Sequence, residues 1–98
     1  MGSLRYDFAG ESVLVTGASR GIGFAVAKAF ALAGADVTVL SSGPGIHAAA
    51  AAVSTAAGRP CSALECDITD SGAVKAALTG LGRIDVLVNN AGLERITP

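Results

Sequence analysis

The amino-acid sequence predicts an α/β fold, a doubly wound parallel sheet in the order β-α-β-α-β-α-β. Short apolar runs rich in β-branched residues alternate along the chain with stretches of helical apolar spacing. The intervening helices are about 10 to 13 residues long, which suits right-handed crossovers and helices on both faces of the sheet. Residues 13–15 and 86–88 both read Val-Leu-Val. Continuously apolar runs are typical of parallel strands that are buried on both faces.

The composition of the 98-residue chain limits the classes of protein to which it can belong. It is 51% hydrophobic with a formal net charge of −1, which argues against a disordered chain and against a nucleic-acid-binding surface. No apolar run reaches the roughly 20 residues that cross a bilayer. The first ten residues include Arg5 and Asp7 and lack the apolar centre of a signal peptide. We therefore expect a cytoplasmic protein without nucleic-acid or membrane partners.

The cysteines and the histidine predict neither a disulfide nor a metal site. On one strand, Cys61 and Cys66 would lie roughly 16 Å apart, well beyond the distance of about 7 Å that a disulfide allows. The sequence has no Cys-x-x-Cys motif and no Cys/His cluster. His47, which has no partner ligands nearby in the sequence, is expected at the surface.

The first half of the chain predicts two strands and the helix between them. The first strand is expected over residues 11–16 and the second over residues 36–41. A helix is expected over residues 21–33, ended by Gly34 because glycine adopts left-handed geometry readily. Its inward face is predicted from apolar residues that recur with helical spacing: Ile22, Ala25, Val26, Ala29, Phe30 and Ala33.

The second half predicts two more helices and two more strands. After a loop of turn residues at 41–45, a helix is expected over residues 46–57, ended by Gly58. A weaker third strand is expected over residues 60–66 and a fourth over 84–88. Thr69 or Asp70 can cap the third helix, which residues 80–82 end. The predicted inward residues are Ile46, Ala49, Ala50, Val53 and Ala57 in the second helix and Val74, Ala77, Leu78 and Leu81 in the third.

The loop between the first strand and the first helix has the sequence features of an anion-binding turn. Residues 16–23 read Thr-Gly-Ala-Ser-Arg-Gly-Ile-Gly. Gly17 allows a sharp turn, Gly21 lets the backbone approach a ligand, and Gly23 lets the helix pack closely on the sheet. The free N–H groups at the helix start favour an anion such as pyrophosphate. A glycine-rich turn without a ligand is the alternative, but the position between a strand and a helix favours binding. A P-loop is excluded because no Gly-Lys-Ser/Thr follows.

This loop and two further motifs resemble a known family. With Asp67 after the third strand and Asn-Asn-Ala-Gly at 89–92 after the fourth, the sequence resembles the three N-terminal motifs of the short-chain dehydrogenase/reductase family. The sequences of these motifs are similar to those of the 3-oxoacyl-(acyl-carrier-protein) reductase-like branch of the family. The resemblance runs from Phe8 to Gly92. It implies that residues 1–98 are the N-terminal part of a single NAD(P)-binding domain of Rossmann type, without its C-terminal catalytic half.

The resemblance also implies which residues bind the cofactor. The residues that would line the phosphates are Gly17, Ser19, Arg20, Gly21, Ile22 and Gly23. Asp67 and Ile68 would hold the adenine ring, with the Asp67 carboxylate accepting from the exocyclic amine. The residues that would border the adenosine ribose are Asn90, Ala91 and Gly92. Asp67 could instead be a residue that starts the next helix. Residues 90–92 could instead form a plain turn without a ligand.

The end of the second strand bears on the choice between NAD and NADP. An NAD-specific site usually places a carboxylate there, to bind the ribose 2′-hydroxyl. In this sequence the strand ends at Ser41 and Ser42, and no acidic residue occurs between Asp36 and Glu65. The serine hydroxyls could donate to a 2′-phosphate and Arg20 could pair with it, although a solvated surface arginine is the alternative. We therefore expect NADP(H) to be preferred over NAD(H).

The resemblance implies an oxidoreductase that transfers a hydride between NADP(H) and a small-molecule carbonyl or alcohol, and a homo-oligomer when complete. The family's catalytic Ser and Tyr-x-x-x-Lys lie beyond this sequence, in which Tyr6 is the one tyrosine and is followed four residues later by Gly10. We therefore expect residues 1–98 alone to be inactive. The alternatives are a stand-alone dinucleotide-binding module that oligomerises through its fourth strand and a fragment of another doubly wound enzyme, such as a methyltransferase.

Overall fold

A computed structural model of the chain describes residues 8–17, 21–67 and 69–89. The elements in chain order are β1 (Ser12–Thr16), α1 (Gly21–Leu32), β2 (Asp36–Ser41), α2 (Gly45–Ala57), β3 (Ser62–Glu65), α3 (Ser71–Leu81) and β4 (Val86–Asn89). The strands form one parallel sheet in the order β3-β2-β1-β4. The predicted α/β fold and the order of its elements are confirmed, and the bounds of β2 agree at both ends.

The strand order reverses direction at β1. The chain moves outward from β1 through β2 to β3, and β4 then returns to pair with the other side of β1. Helices α1 and α2 contact each other and pack on the same sheet. Because crossovers between parallel strands are right-handed, this reversal assigns α3 to the opposite face. The reversal also creates a crevice at the carboxyl ends of β1 and β4, where doubly wound sheets bind ligands.

The main core lies between the sheet and helices α1 and α2. Its fully buried strand residues are Val13, Val15, Val37 and Val39, and its helix residues are Ala27, Ala31, Ile46, Ala49, Ala50 and Val53. Leu14 and Leu40 alternate with these valines and are also fully buried, on the other face of the sheet. Burial on both faces explains why the strand sequences are continuously apolar.

The inward face predicted for α1 is only partly correct, since Val26 and Phe30 pack half-buried against the core but the fully buried residues are others. The helix buries Gly23, Ala27 and Ala31, whereas Ile22 is 74% exposed and Leu32 is 59% exposed. Nearly every position of α1 is apolar, so helical spacing by itself does not select one face. The sheet selects the face with the smallest side chains, because glycine and alanine allow the helix axis to approach it closely.

The apolar side chains on the other face of α1 border an open groove. Its volume is about 550 Å³, and its lining residues are Phe8, Val26, Ala29, Phe30, Leu32 and Ala33. The rings of Phe8 and Phe30 meet edge to face with their centroids 5.1 Å apart. Phe8 also donates its backbone N–H to the carbonyl of Ala33 at 2.9 Å, which fixes the segment before β1 beside the end of α1.

The other two helices have the predicted inward faces. In α2, Ile46, Ala49, Ala50 and Val53 are buried, and Gly58 ends the helix with φ = +71°. In α3, the predicted residues Val74, Ala77, Leu78 and Leu81 are half-buried, and no residue of the helix is fully buried. Asp70, not Thr69, caps α3 by accepting from the N–H of Ala73 at 3.1 Å.

Strand β4 lies at the edge of the sheet, and Leu87 is 57% exposed there. Within the described part of the chain, no helix is both long and apolar enough to span a bilayer. The same residues contain no group of three or more potential metal ligands, and both cysteines are free thiols. Burial raises the pKa of the Cys61 thiol.

Candidate functional site

Backbone hydrogen bonds continue past the last paired residues at the carboxyl ends of the strands. Gly17, directly after β1, donates its N–H to the carbonyl of Leu40 in β2 at 2.8 Å. Cys66, directly after β3, donates in the same way to the carbonyl of Ser41 at 2.9 Å. The segments that leave β1, β2 and β3 therefore begin side by side at one edge of the sheet.

A side-chain contact joins the ends of β1 and β4 at the same edge. Thr16 and Asn89 are register partners, and the Thr16 hydroxyl lies 3.1 Å from Asn89 Oδ1, to which it donates. The same hydroxyl lies 3.4 Å from the carbonyl oxygen of Val88. This contact joins the carboxyl ends of β1 and β4, at the point where the strand order reverses.

The loop between β1 and α1 has two glycines in the left-handed region. Gly17 has φ = +65° and Gly21 has φ = +68°, conformations that side chains with a Cβ adopt rarely. A Cβ placed on Gly21 would meet no described atom within 4 Å, so none of the described residues fills the space beside the start of α1. Gly23, in the first turn, is buried, as expected for a helix that packs closely on the sheet. Ile22 between them points its apolar side chain outward.

The start of α1 is electrostatically suited to an anion. The helix has 12 residues, and its first turn contains no acidic side chain that would neutralise the partial positive charge of the free N–H groups. The left-handed glycines, the space that the described residues leave beside Gly21 and the absence of acidic side chains in the first turn of α1 fit the pyrophosphate of a dinucleotide. Of the predicted phosphate-binding residues, the structure describes Gly17, Gly21, Ile22 and Gly23 at this place.

Asp67 lies at the same edge, directly after β3. One of its carboxylate oxygens, Oδ1, accepts from the Thr69 hydroxyl at 2.6 Å and from the Thr69 N–H at 2.9 Å. These two bonds, the hydroxyl's first, lower the pKa of the Asp67 carboxyl below its ordinary value. The N-cap of α3 is Asp70, so Asp67 does not start that helix. Asp67 is therefore an exposed, charged acceptor at the sheet edge.

The structure also brings a carboxylate to the end of β2, where the sequence by itself did not indicate one. Ser41 is half-buried and Ser42 is exposed, as a site for a ribose substituent needs. Glu65, however, is the register partner of Ser41 on β3. Its Oε1 lies 3.2 Å from Nε2 of His47, which is on the surface as predicted. The sequence does not show Glu65 at this place, because strand pairing and not proximity along the chain makes it a neighbour of Ser41.

The remaining predicted site residues lie outside the described residues: Ser19, Arg20, Ile68, Asn90, Ala91 and Gly92. The described members of the set lie at the carboxyl ends of three strands or directly after them. Gly17 and Gly21 follow β1, Ser41 and Ser42 end and follow β2, and Asp67 follows β3. Their common position at the carboxyl edge is the position of ligand sites in doubly wound sheets.

Comparison with known proteins identifies relatives of this chain. An uncharacterized oxidoreductase of Methylorubrum extorquens is 47% identical over 90 residues, which cover 86% of this chain and 36% of the relative. The 3-oxoacyl-(acyl-carrier-protein) reductase MabA of Mycobacterium tuberculosis is 42% identical over 91 residues, covering 89% of this chain and 32% of the reductase. This chain thus spans about a third of the length of the curated relatives it matches.

Solved structures match the fold as well as the sequence. The crystal structure of a metagenomic short-chain oxidoreductase in complex with NADP superimposes with a TM-score of 0.78 at 39% identity, covering 85% of this chain and 39% of that one. Residues 11–98 match the family described as short chain dehydrogenase. The left-handed glycine turn, the parallel sheet and these matches agree, and the chain belongs to the short-chain dehydrogenase family of oxidoreductases.

Proposed function

We propose that this chain is the cofactor-binding part of an oxidoreductase that transfers a hydride between NADP(H) and a carbonyl or hydroxyl group of a small molecule. The observation that carries the proposal is the left-handed glycine turn at Gly17 and Gly21, which opens onto the start of α1 beside the reversal of strand order. Dehydrogenases and reductases among its relatives support the reaction class.

Each part of the site would hold a different part of the cofactor. The glycine turn and the start of α1 would bind the pyrophosphate, through residues Gly17, Ser19, Arg20, Gly21, Ile22 and Gly23. Asp67 and Ile68 would hold the adenine, and Asn90, Ala91 and Gly92 would border the ribose. The bound nicotinamide supplies or accepts the hydride. The contribution of this chain is to fix and orient the adenosine and pyrophosphate half.

We propose NADP(H) rather than NAD(H) as the preferred cofactor. Ser41, which ends β2, and Ser42, which follows it, carry hydroxyls and no carboxylate, so a 2′-phosphate would find donors there. Glu65 lies beside Ser41, but its carboxylate faces the His47 ring. A solved relative in complex with NADP supports the preference.

The test is a fluorescence titration with both reduced cofactors, NADPH and NADH. We expect tighter binding of NADPH, and we expect Ser41→Asp to weaken NADPH binding specifically, because the new carboxylate repels the 2′-phosphate. Equal or tighter binding of NADH by the unaltered protein would contradict the preference. An unchanged NADPH affinity in Ser41→Asp would show that Ser41 is not at the 2′ position.

We further propose that residues 1–98 are the N-terminal part of one NAD(P)-binding domain and do not catalyse the reaction alone. Tyr6 is the one tyrosine, and the sequence has no Tyr-x-x-x-Lys pair to move the hydroxyl proton. The 98-residue polypeptide should therefore bind NADPH without oxidising it in the presence of carbonyl compounds. Measured turnover by this polypeptide would contradict the proposal.

A second candidate is a stand-alone dinucleotide-binding module that oligomerises through β4. Edge strands with exposed apolar side chains recruit other strands, and β4 is an edge strand on which Leu87 is 57% exposed. This candidate predicts a defined oligomer in sedimentation experiments that Leu87→Lys dissociates. A monomer whose mass does not change with concentration would exclude it.

A further inference from the structure

The clearest side-chain clamp at the candidate site involves Thr69. Both the hydroxyl and the backbone N–H of this residue donate to the same oxygen of Asp67, Oδ1, at 2.6 Å and 2.9 Å. Because both donors hold the same oxygen in place, they restrict the rotation of the carboxylate about its Cβ–Cγ bond. A carboxylate without such partners rotates broadly about that bond.

The clamp is separate from the start of α3. Asp70 caps the helix, because its carboxylate accepts from the N–H of Ala73 in the first turn. The backbone of Asp67 is held independently, because its carbonyl accepts from the N–H of Asp70 at 3.0 Å. The Thr69 hydroxyl is therefore required neither for the cap of α3 nor for the backbone turn, and its visible effect is on the Asp67 carboxylate.

The clamp leaves the second carboxylate oxygen for a ligand. Among the described residues, every hydrogen bond to the Asp67 carboxylate is made to Oδ1 and none to Oδ2. The side chain is exposed at the carboxyl edge of the sheet, where it can meet a donor from a bound molecule. A charged carboxylate oxygen is a strong acceptor for an amine N–H.

We propose that Thr69 is a positioning residue that orients Asp67 so that Oδ2 accepts from the exocyclic amine of the cofactor's adenine. The inference rests on the proposed function, which assigns Asp67 to the adenine ring. Thr69 then contributes to base selectivity without touching the base. The lowered pKa of Asp67 is consistent with this role, since the two donors keep the carboxylate charged as an acceptor.

The test compares two reduced cofactors that differ at one group of the base. NADPH carries the adenine amine, whereas reduced nicotinamide hypoxanthine dinucleotide phosphate carries a carbonyl oxygen at that place, which a carboxylate repels. Dissociation constants for both are measured by nicotinamide fluorescence on the full chain. We expect NADPH to bind more tightly, and Thr69→Val to reduce the ratio of the two affinities by about fivefold, the size of one hydrogen bond.

Three further variants separate positioning from general damage. Thr69→Ser keeps the hydroxyl and should restore the ratio of the unaltered chain. Thr79→Val removes a hydroxyl from the exposed face of α3, where Thr79 donates to the Lys75 carbonyl at 2.8 Å, and should leave the ratio unchanged. In an Asp67→Ala background, Thr69→Val should have no additional effect, because the group that it positions is absent.

The outcomes separate this inference from the proposed function. If the unaltered chain binds neither cofactor, the proposed function fails and the inference fails with it. If it binds NADPH but Thr69→Val leaves the affinity ratio unchanged, the positioning role is overturned while the proposed function stands. If both cofactors bind equally to the unaltered chain, Asp67 does not read the amine, and the inference is overturned.

Discussion

The carboxylate of Asp85 accepts a hydrogen bond from the backbone N–H of Ser12 at 2.7 Å, and Asp85 donates its own N–H to the Ser12 carbonyl at 2.8 Å. The two bonds join the amino ends of β4 and β1, opposite the carboxyl edge of the sheet. Arg83 lies 3.1 Å from the same carboxylate and donates to the carbonyl of Gly10 at 2.9 Å. Asp85 therefore attaches the edge strand to the centre of the sheet.

Removal of this carboxylate should destabilise the protein. We expect Asp85→Ala to lower the free energy of unfolding by about 1 to 2 kcal/mol, since a backbone donor loses a charged partner. Urea unfolding measures the change. Asp36→Ala is the matched control, because the Asp36 side chain is 69% exposed against 29% for Asp85, and its ion pair with Arg59 should contribute less than about 1 kcal/mol. Equal losses in the two variants would contradict the special role of Asp85.

Gly21→Ala should weaken NADPH binding more than backbone strain alone explains. The new methyl group enters the open space at the start of α1, where the pyrophosphate is proposed to lie. Gly58→Ala is the control, because Gly58 has a similar φ of +71°, equally open surroundings and a position at the far end of α2. Both variants should lose about 1 to 2 kcal/mol of stability. A similar NADPH affinity in both variants would argue against pyrophosphate binding at Gly21.

Glu65→Gln should increase the preference for NADPH. The register places Glu65 beside Ser41, about 4.8 Å away across the sheet, so its negative charge acts on a phosphate bound there. We expect a twofold to threefold rise in the affinity ratio of NADPH to NADH, about what one exposed charge contributes. The rise should shrink at high salt. Glu11→Gln makes the same charge change at the opposite edge and should leave the ratio unaltered.

Thr69→Val should raise the pKa of the Asp67 carboxyl. Both donors come from Thr69, and loss of the hydroxyl removes the larger cause of the lowered pKa. A carboxyl whose pKa is lower in the folded state stabilises the fold above its unfolded pKa, and the contribution is lost as the pH falls through the folded value. Carbon-detected NMR titration of Asp67 measures the pKa. An unchanged value in Thr69→Val would show that the clamp does not form.

Substitutions on α1 should confirm which face of the helix is inside. Ala27→Leu adds volume where α1 meets the sheet and should cost about 1 to 3 kcal/mol of stability. Ala25→Leu makes the same change on the exposed face and should be nearly neutral. Thermal unfolding of both variants is the measurement. A larger loss in Ala25→Leu would support the face predicted from the spacing.

The bounds of strands and the inward faces of helices could be predicted where one pattern in the local sequence was clear. Strand β2 lies between Gly34 and a run of turn residues, and both of its bounds were predicted. The inward face of α2 was predicted because alanine and two larger apolar residues, Ile46 and Val53, leave one possible stripe. In α1 apolar residues surround the helix, so the sequence offers several stripes and the sheet chooses the one with the smallest side chains.

By itself, the sequence determined the order of strands and helices and the glycine turn at the start of α1. These features depend on local backbone preferences and on apolar periodicity, which neighbouring residues encode. The tertiary structure alone decided that Gly23, Ala27 and Ala31 face the sheet and that Glu65 lies beside Ser41. Both depend on strand pairing and close packing between residues far apart in the chain, which no local pattern records.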